Sequence, residues 1–359
     1  MLSYFQLMPC EFKEIIRVRD MYLKFFISSL IFILFSSFSS FVYAKEKVGE
    51  VWALPDAAIP EGRISYIDPI EGIIYEVDLN GFVTWKYKIP SKINNKRTLR
   101  KGADIEWLKE SDNFLFVVPL VGIYEVNRQK EIVWSYETKL VSHDADRLPN
   151  GNTIFVNAWD KEGDNQVVEI TPRGDIVFEW KISDSGVSCA HKSANCNWGK
   201  REGKKYDYTH VNAVQKFEDG SFLVSLRNLH KAVLIDKNLK VVERYRHIRL
   251  VHDPRLKGDK LIAISRQGLI ERERKPSDSK YVFKYSDQKN VFKYLDKGYA
   301  YLRTNELIPD GNILLTDTRN LLVFNRDSEK IVWKLKLNGF GDQKRNKDLP
   351  YLYKAAWSQ

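Results

Sequence analysis

The sequence predicts an all-β fold, a six-bladed β-propeller preceded by an N-terminal signal peptide or anchor. Three observations carry this. A template of apolar strand, polar turn and second apolar strand with an aromatic recurs six times; Gly- or Asp-containing turns join another strand pair ahead of most copies; convincing helical periodicity is missing from the chain beyond residue 44. Repetition at roughly 40 to 65 residues is the spacing of propeller blades.

The six copies are GIIYEVDLNGFVTWKY (72–87), VGIYEVNRQKEIVWSY (121–136), NQVVEITPRGDIVFEW (165–180), KAVLIDKNLKVVERY (231–245), KYVFKYSDQKNVFKYL (280–295) and NLLVFNRDSEKIVWKL (320–335). Each reads as an outer hairpin. The pairs ahead of them, DRLPNGNTIFVNAW, VQKFEDGSFLVSLRN, RLKGDKLIAISRQG and ELIPDGNILLTDTRN, read as inner hairpins, because Asn-Gly and Asp-Gly between alternating apolar runs are strong turn signals. Inner plus outer hairpin gives a four-stranded blade. A sandwich or two small barrels would not repeat one four-strand order six times. The propeller is expected over about 45–359 as a single domain, with residues 342–359 completing or covering the ring.

Ahead of it, Met21 to Ala44 combines one lysine, an uncharged apolar and serine-rich run, and Val42 and Ala44 before Lys45. That is the layout of a cleaved signal peptide, so residues 1–44 are expected to be removed and Met21 to be the true start. The competing reading is an uncleaved anchor, since Phe25 to Tyr43 is long enough to span a bilayer. Cleavage puts the protein in the periplasm; retention holds it on the inner membrane.

The chain carries 57 basic and 47 acidic residues, a net charge of +10. Export and the lack of a Lys/Arg block argue against nucleic acid and leave a positive cleft for small anions, or diffuse solubilising charge. Cys189 and Cys196 lie in the longest insertion, 183–209, and in an oxidising compartment read as a local disulfide made by a periplasmic disulfide-forming system. A metal clip with His191 is the alternative.

Three of the six histidines recur at one blade position. His143, His210 and His252 each open an inner strand, in blades three, four and five, while His191, His230 and His247 lie elsewhere. Inner strands line the central channel, so their heads converge on one mouth. Asp104 and Arg303 fall at corresponding places in blades two and six. Arg227, at the far end of the hairpin headed by His210, is turned back toward it, and Arg266 and Arg319 fall near the same place in the next two blades. Singly, such residues are usually hydrogen-bonded surface groups; three histidines in register point to a shared site.

Two chemistries suit this set. Neutral imidazoles bind a metal such as zinc. Alternatively one imidazole attacks an electrophile while arginine stabilises developing charge. Arginine favours the second, because it attracts an oxyanion and repels a cation.

HDADRLPNGN, THVNAV followed by SLRN, and VHDPRL resemble, in that order, motif blocks of the bacterial arylsulfate sulfotransferases, over about 100–330 of the chain. The resemblance implies a six-bladed exported propeller that moves a sulfuryl group from an aryl sulfate donor to a phenolic acceptor without a nucleotide donor or other cofactor. It implies His252 as the nucleophile that is sulfated, His210 and Arg227 as the pair holding the sulfuryl oxygens and assisting the leaving phenolate, and His143 as a further active-site histidine. Asn212, Arg266 and Arg303 are the expected substrate-binding residues.

The chain departs from the family in lacking a clear separate N-terminal β-domain, which in some members supports a homodimer, and in carrying its cysteine pair ahead of His210 rather than near the nucleophile. Oligomeric state and acceptor therefore stay open. So do a metalloenzyme using His143, His210 and His252, and a non-catalytic envelope propeller.

Overall fold

The computed structural model describes residues 45–55, 57–94, 96–160, 164–187, 208–265, 268–273, 283–285, 302–340 and 352–359. In chain order, β1 (Gly49–Ala53) precedes blade one, β2 (Arg63–Asp68), β3 (Ile73–Asp78) and β4 (Val83–Lys88). Blade two is β5 (Asp104–Leu108), β6 (Asn113–Val118), β7 (Gly122–Val126) and β8 (Ile132–Glu137); blade three is β9 (Ala145–Arg147), β10 (Thr153–Val156), β11 (Val167–Ile170) and β12 (Ile176–Trp180). Blade four is β13 (Val214–Lys216), β14 (Phe222–Leu226), β15 (Lys231–Ile235) and β16 (Val241–Arg246); blade five is β17 (His252–Lys257), β18 (Lys260–Ser265), β19 (Gly268–Glu273) and β20 (Phe283–Tyr285). Blade six is β21 (Asn305–Leu307), β22 (Ile313–Thr316), β23 (Asn320–Asn325) and β24 (Lys330–Leu337), and β25 (Ala355–Ser358) ends the chain.

Every blade is an antiparallel sheet, and the ring closes at two places. β25 pairs with β2 as the innermost strand of blade one, Ser358 opposite Arg63, while β1 adds a fifth, outermost strand to blade six, Gly49 opposite Leu337. The tail thus completes the ring.

Position in the blade explains residue choice. Second strands such as FLVSL and ILLT are buried throughout because neighbouring blades cover both faces, whereas the outermost β8 alternates half-buried and exposed residues. The aromatic of the template spans the gap between blades: Trp85, Trp134 and Trp333 donate from Nε1 to the outer-turn carbonyls of Arg128, Pro172 and Leu79. A one-residue register shift recurs in the outer hairpins of blades one, two, three, four and six, at Glu76/Val77, Glu125/Val126, Glu169/Ile170, Leu234/Ile235 and Val323/Phe324. Such a bulge strengthens the local twist.

Of the fifth copy, 280–295, the described residues are Phe283–Tyr285, which pair with Ile270–Arg272 of β19, ahead of the copy; its other residues lie outside the described ones. The signal or anchor segment 1–44 lies outside the described residues.

Candidate active site

The heads of the inner strands meet at one mouth of the channel, and local chemistry fixes each. Ahead of β9, Ser142 Oγ donates to Val156 O at 2.8 Å and accepts Ala158 N–H at 2.9 Å, setting the backbone from which His143 projects. Ahead of β13, the buried Asp160 carboxylate accepts Thr209 N–H (3.0 Å), Thr209 Oγ–H (2.8 Å), Gln166 Nε2–H (3.0 Å) and His210 N–H (3.3 Å). This hub holds His210 at φ +52°, in the left-handed region. Asn228 N–H donates to Thr209 O at 3.1 Å, which brings Arg227, at the end of the same hairpin, back to the His210 segment. His252 opens β17 immediately before a bulge: it faces Ile264, whereas Arg255 faces Ile262, and the extra residue places Asp253 at φ +43°. Bulges re-aim side chains, and here one separates His252 from a carboxylate that serves the wall.

Together these side chains form an arc to which every blade contributes. The His210 ring stacks on His143 at 5.2 Å, and His143 on Tyr353 of blade one at 5.0 Å. Trp159 meets His143 edge-on at 4.8 Å, with Lys101 Nζ 5.2 Å from its ring. Arg303 of blade six lies 5.7 Å from the Tyr353 ring and donates from Nη1 to His252 Nε2 at 3.0 Å. Blade two contributes Gly102, whose carbonyl receives the His143 Nδ1 hydrogen bond at 3.2 Å.

Those partners set both tautomers. A guanidinium only donates, so His252 Nε2 is the lone-pair nitrogen and Nδ1–H points to Leu250 O at 2.7 Å. A carbonyl only accepts, so His143 carries its proton on Nδ1, leaving the Nε2 lone pair, which is buried and has no hydrogen-bond partner among the described residues. Burial, followed by the charges of Arg303 and Arg227, holds His252 well below the ordinary histidine range; burial, followed by His210, does the same for His143. Both imidazoles are neutral near pH 7.

Gly102 has a steric reason to be glycine. At φ +121° a Cβ would lie 2.6 Å from His143 Nδ1 and 2.9 Å from Tyr353 Cε2. Gly102→Ala is therefore expected to lower stability by about 2–3 kcal/mol and to displace both rings, as denaturant unfolding and the ring chemical shifts would report.

Other expected residues go elsewhere. Asn212 is turned into the wall: Nδ2 donates to Val251 O at 3.1 Å and Oδ1 accepts Ser225 Oγ–H at 2.7 Å, joining blade four to blade five. Asp104, expected on the rim, faces down the channel, accepting Ala145 N–H of blade three at 2.9 Å. Arg319 contributes its backbone N–H to a turn closed by Asp317. Arg266, Cys189, Cys196 and His191 lie outside the described residues.

Below the mouth, Lys354 of blade one reaches the carboxylates of Asp104 (3.3 Å), Asp144 and Asp253 (4.0 Å) in blades two, three and five. Beyond it lies a cavity of about 360 Å³ lined by Glu106, Asp146, Arg255 and Glu306 among others. Wall bonds account for several of these acids: Glu106 accepts Arg147 N–H, Asp253 accepts Asn305 N–H and Glu306 accepts Trp357 N–H, each from the next blade. Among the described residues, no three His, Cys, Asp or Glu side chains stand at metal-holding spacing.

Sequence reasoning had no access to Tyr353, Lys354, Gly102 and Asp160. Tyr353 and Lys354 belong to blade one only through closure by β25, and Asp160 acts across 49 residues on Thr209.

Residues 152–248 match the family model described as arylsulfotransferase (ASST). The matched segment contains His210 and Arg227; His143 precedes it and His252 follows it. No curated protein matches the sequence. Among solved structures, the chain is similar to a protein of unknown function from Bacteroides caccae, with 11% identity, a TM-score of 0.56, and coverage of 84% of this chain and 100% of that one. A streptogramin B lyase (10% identity, TM-score 0.48, 83% and 95% coverage) and the Myceliophteria thermophila Cps50 (Swd1) β-propeller domain (9%, 0.49, 80% and 89%) are more distant and bear on neither fold nor function. The Bacteroides caccae likeness supports the fold alone.

Proposed function

We propose that this chain, an arylsulfotransferase-family propeller on the strength of the match over 152–248 and its six blades, transfers a sulfuryl group from an aryl sulfate to a phenol through a sulfated His252. One observation carries the proposal: His252 Nε2 is the lone-pair nitrogen and has Arg303 Nη1 at 3.0 Å, and Arg227 and His210 lie close enough for their charge to act on it.

The steps balance without a cofactor. As the Arg303 guanidinium turns from His252 Nε2 to the sulfuryl oxygens, the freed Nε2 lone pair forms the N–S bond while the S–O(aryl) bond breaks and its electron pair leaves on the phenolate. His210 supplies the proton that the phenolate takes up, the usual task of a histidine acid. Arg227 and Arg303 hold the sulfuryl oxygens, and Nδ1–H stays on Leu250 O, which supports positive charge on the substituted ring. The acceptor phenol then returns its proton to His210 and attacks sulfur, and the N–S bond breaks. The signal-like segment ahead of the ring fits export to the periplasm as part of this reading.

The test is turnover of a chromogenic aryl sulfate with phenol as acceptor. Ping-pong kinetics are expected, with the acid limb of kcat/KM lying below 6.5, because His252 is held below that ordinary value. The sign for stability follows: the unfolded chain takes up the proton first, so stability is lost as pH falls below 6.5, by about 1.4 kcal/mol per pH unit for each depressed histidine. A sequential mechanism, or an acid limb above 6.5, contradicts the assignment.

A further inference from the structure

We propose that Tyr353, carried into the mouth by the chain-closing strand, is a positioning residue that holds Arg303 against His252, so that closing the ring and completing the site are one event. The proposal rests on His252 as the reacting group and adds a residue beyond that reading.

Tyr353 sits between the two functional halves of the mouth. Its ring stacks with His143, 25° from parallel, and the Arg303 guanidinium lies 5.7 Å from its centroid, within cation–π range. Arg303 in turn donates to His252 Nε2. Tyr353 is itself only 8% exposed, and its backbone is pinned to blade six: Tyr353 O accepts Thr316 Oγ–H at 2.7 Å, and Leu352 N–H donates to Thr318 O at 3.0 Å. Two residues on, Ala355–Ser358 form β25 against β2. Tyr353 therefore reaches Arg303 only when the C-terminal strand is docked, and a planar face offers a long arginine stem one orientation where an aliphatic side chain would leave several.

The same contact bears on His252 electrostatically. After burial, Arg303 is the largest influence keeping that imidazole neutral, ahead of Arg227. An Arg303 released from Tyr353 would let the His252 titration rise toward 6.5.

The experiment uses the whole chain and two readouts, the NMR titration of the His252 ring and the pH profile of aryl sulfate turnover. Tyr353→Phe keeps both the stack and the cation–π contact, and is expected to leave the titration in place and turnover within about twofold. Tyr353→Leu removes the ring face; the His252 titration and the acid limb of kcat/KM are expected to move up together, with kcat down about tenfold. Should Tyr353→Leu fail to fold, a fluorinated phenylalanine of the same shape but reversed ring quadrupole at 353 is expected to give the same shift. An unmoved His252 titration in a folded Leu or fluorinated variant overturns the proposal. So does loss of turnover in Tyr353→Phe with the titration unmoved, because the hydroxyl would then act directly. If the wild-type protein transfers no sulfuryl group, the proposed function fails, yet the NMR titration still decides the role of Tyr353.

Discussion

Replacing His252 by alanine is expected to lower aryl sulfate turnover by at least about a thousandfold, the scale seen when a covalent nucleophile is removed and only binding and charge stabilisation remain. The fold is expected to survive. His252 gives up one hydrogen bond to Leu250 O and one from Arg303, at about 1 kcal/mol each, on a ring whose other inter-blade bonds are untouched. Mass spectrometry supplies the direct test: after brief exposure to an aryl sulfate without acceptor, the wild-type peptide containing His252 gains the mass of one SO3 group, and the alanine variant does not. Turnover within about tenfold of wild type would move the nucleophile elsewhere. The first alternative would be His143, whose buried Nε2 lone pair has no hydrogen-bond partner among the described residues.

Much of this site was legible because propeller geometry converts sequence register into spatial register. Residues at the head of successive inner strands must meet, whatever lies between them, so His143, His210 and His252 were traceable from blade position alone. Arg227 followed from the hairpin turned at Glu218–Gly220. What stayed hidden depends on contacts that no local pattern records. Tyr353 joins the mouth because β25 pairs with a strand almost the whole chain away. Asn212 carries a polar side chain expected to bind substrate and Asp104 one expected on the rim, yet backbone groups of adjacent blades face them, and the wall takes them first. In KYVFKYSDQKNVFKYL, the strand that pairs with Phe283–Tyr285 lies ahead of the run, because alternation alone does not specify a partner.

The second large effect is expected at Lys354, where the consequence is for stability. Its ammonium is buried at the channel axis against Asp144, with Asp104 at 3.3 Å and Asp253 at 4.0 Å, and it joins blade one to blades two, three and five. Burial opposes its charge, yet the three carboxylates outweigh that and hold its pKa well above the ordinary lysine value. Lys354→Met preserves the stem and removes the charge, leaving carboxylates whose oxygens also accept Ala145, Val214 and Asn305 N–H from neighbouring blades. Breaking a buried pair from one side costs about 3–5 kcal/mol, because the remaining charge is uncompensated. The penalty has a predictable pH dependence. Burial already raises the Asp104 carboxyl to about 6 with the lysine present, and removing the cation raises it further. A carboxyl whose folded pKa lies above its unfolded value of 3.8 favours folding in its protonated form, so the variant loses stability as pH rises through that interval and regains it on acidification. Denaturant unfolding at pH 8 and pH 5 should therefore show a larger deficit at the higher pH. Lys354→Met combined with Asp144→Asn should recover part of it, since the double variant removes the charge in closest contact with the lysine. Equal deficits at the two pH values would mean that Lys354 acts through packing of its stem rather than through its charge.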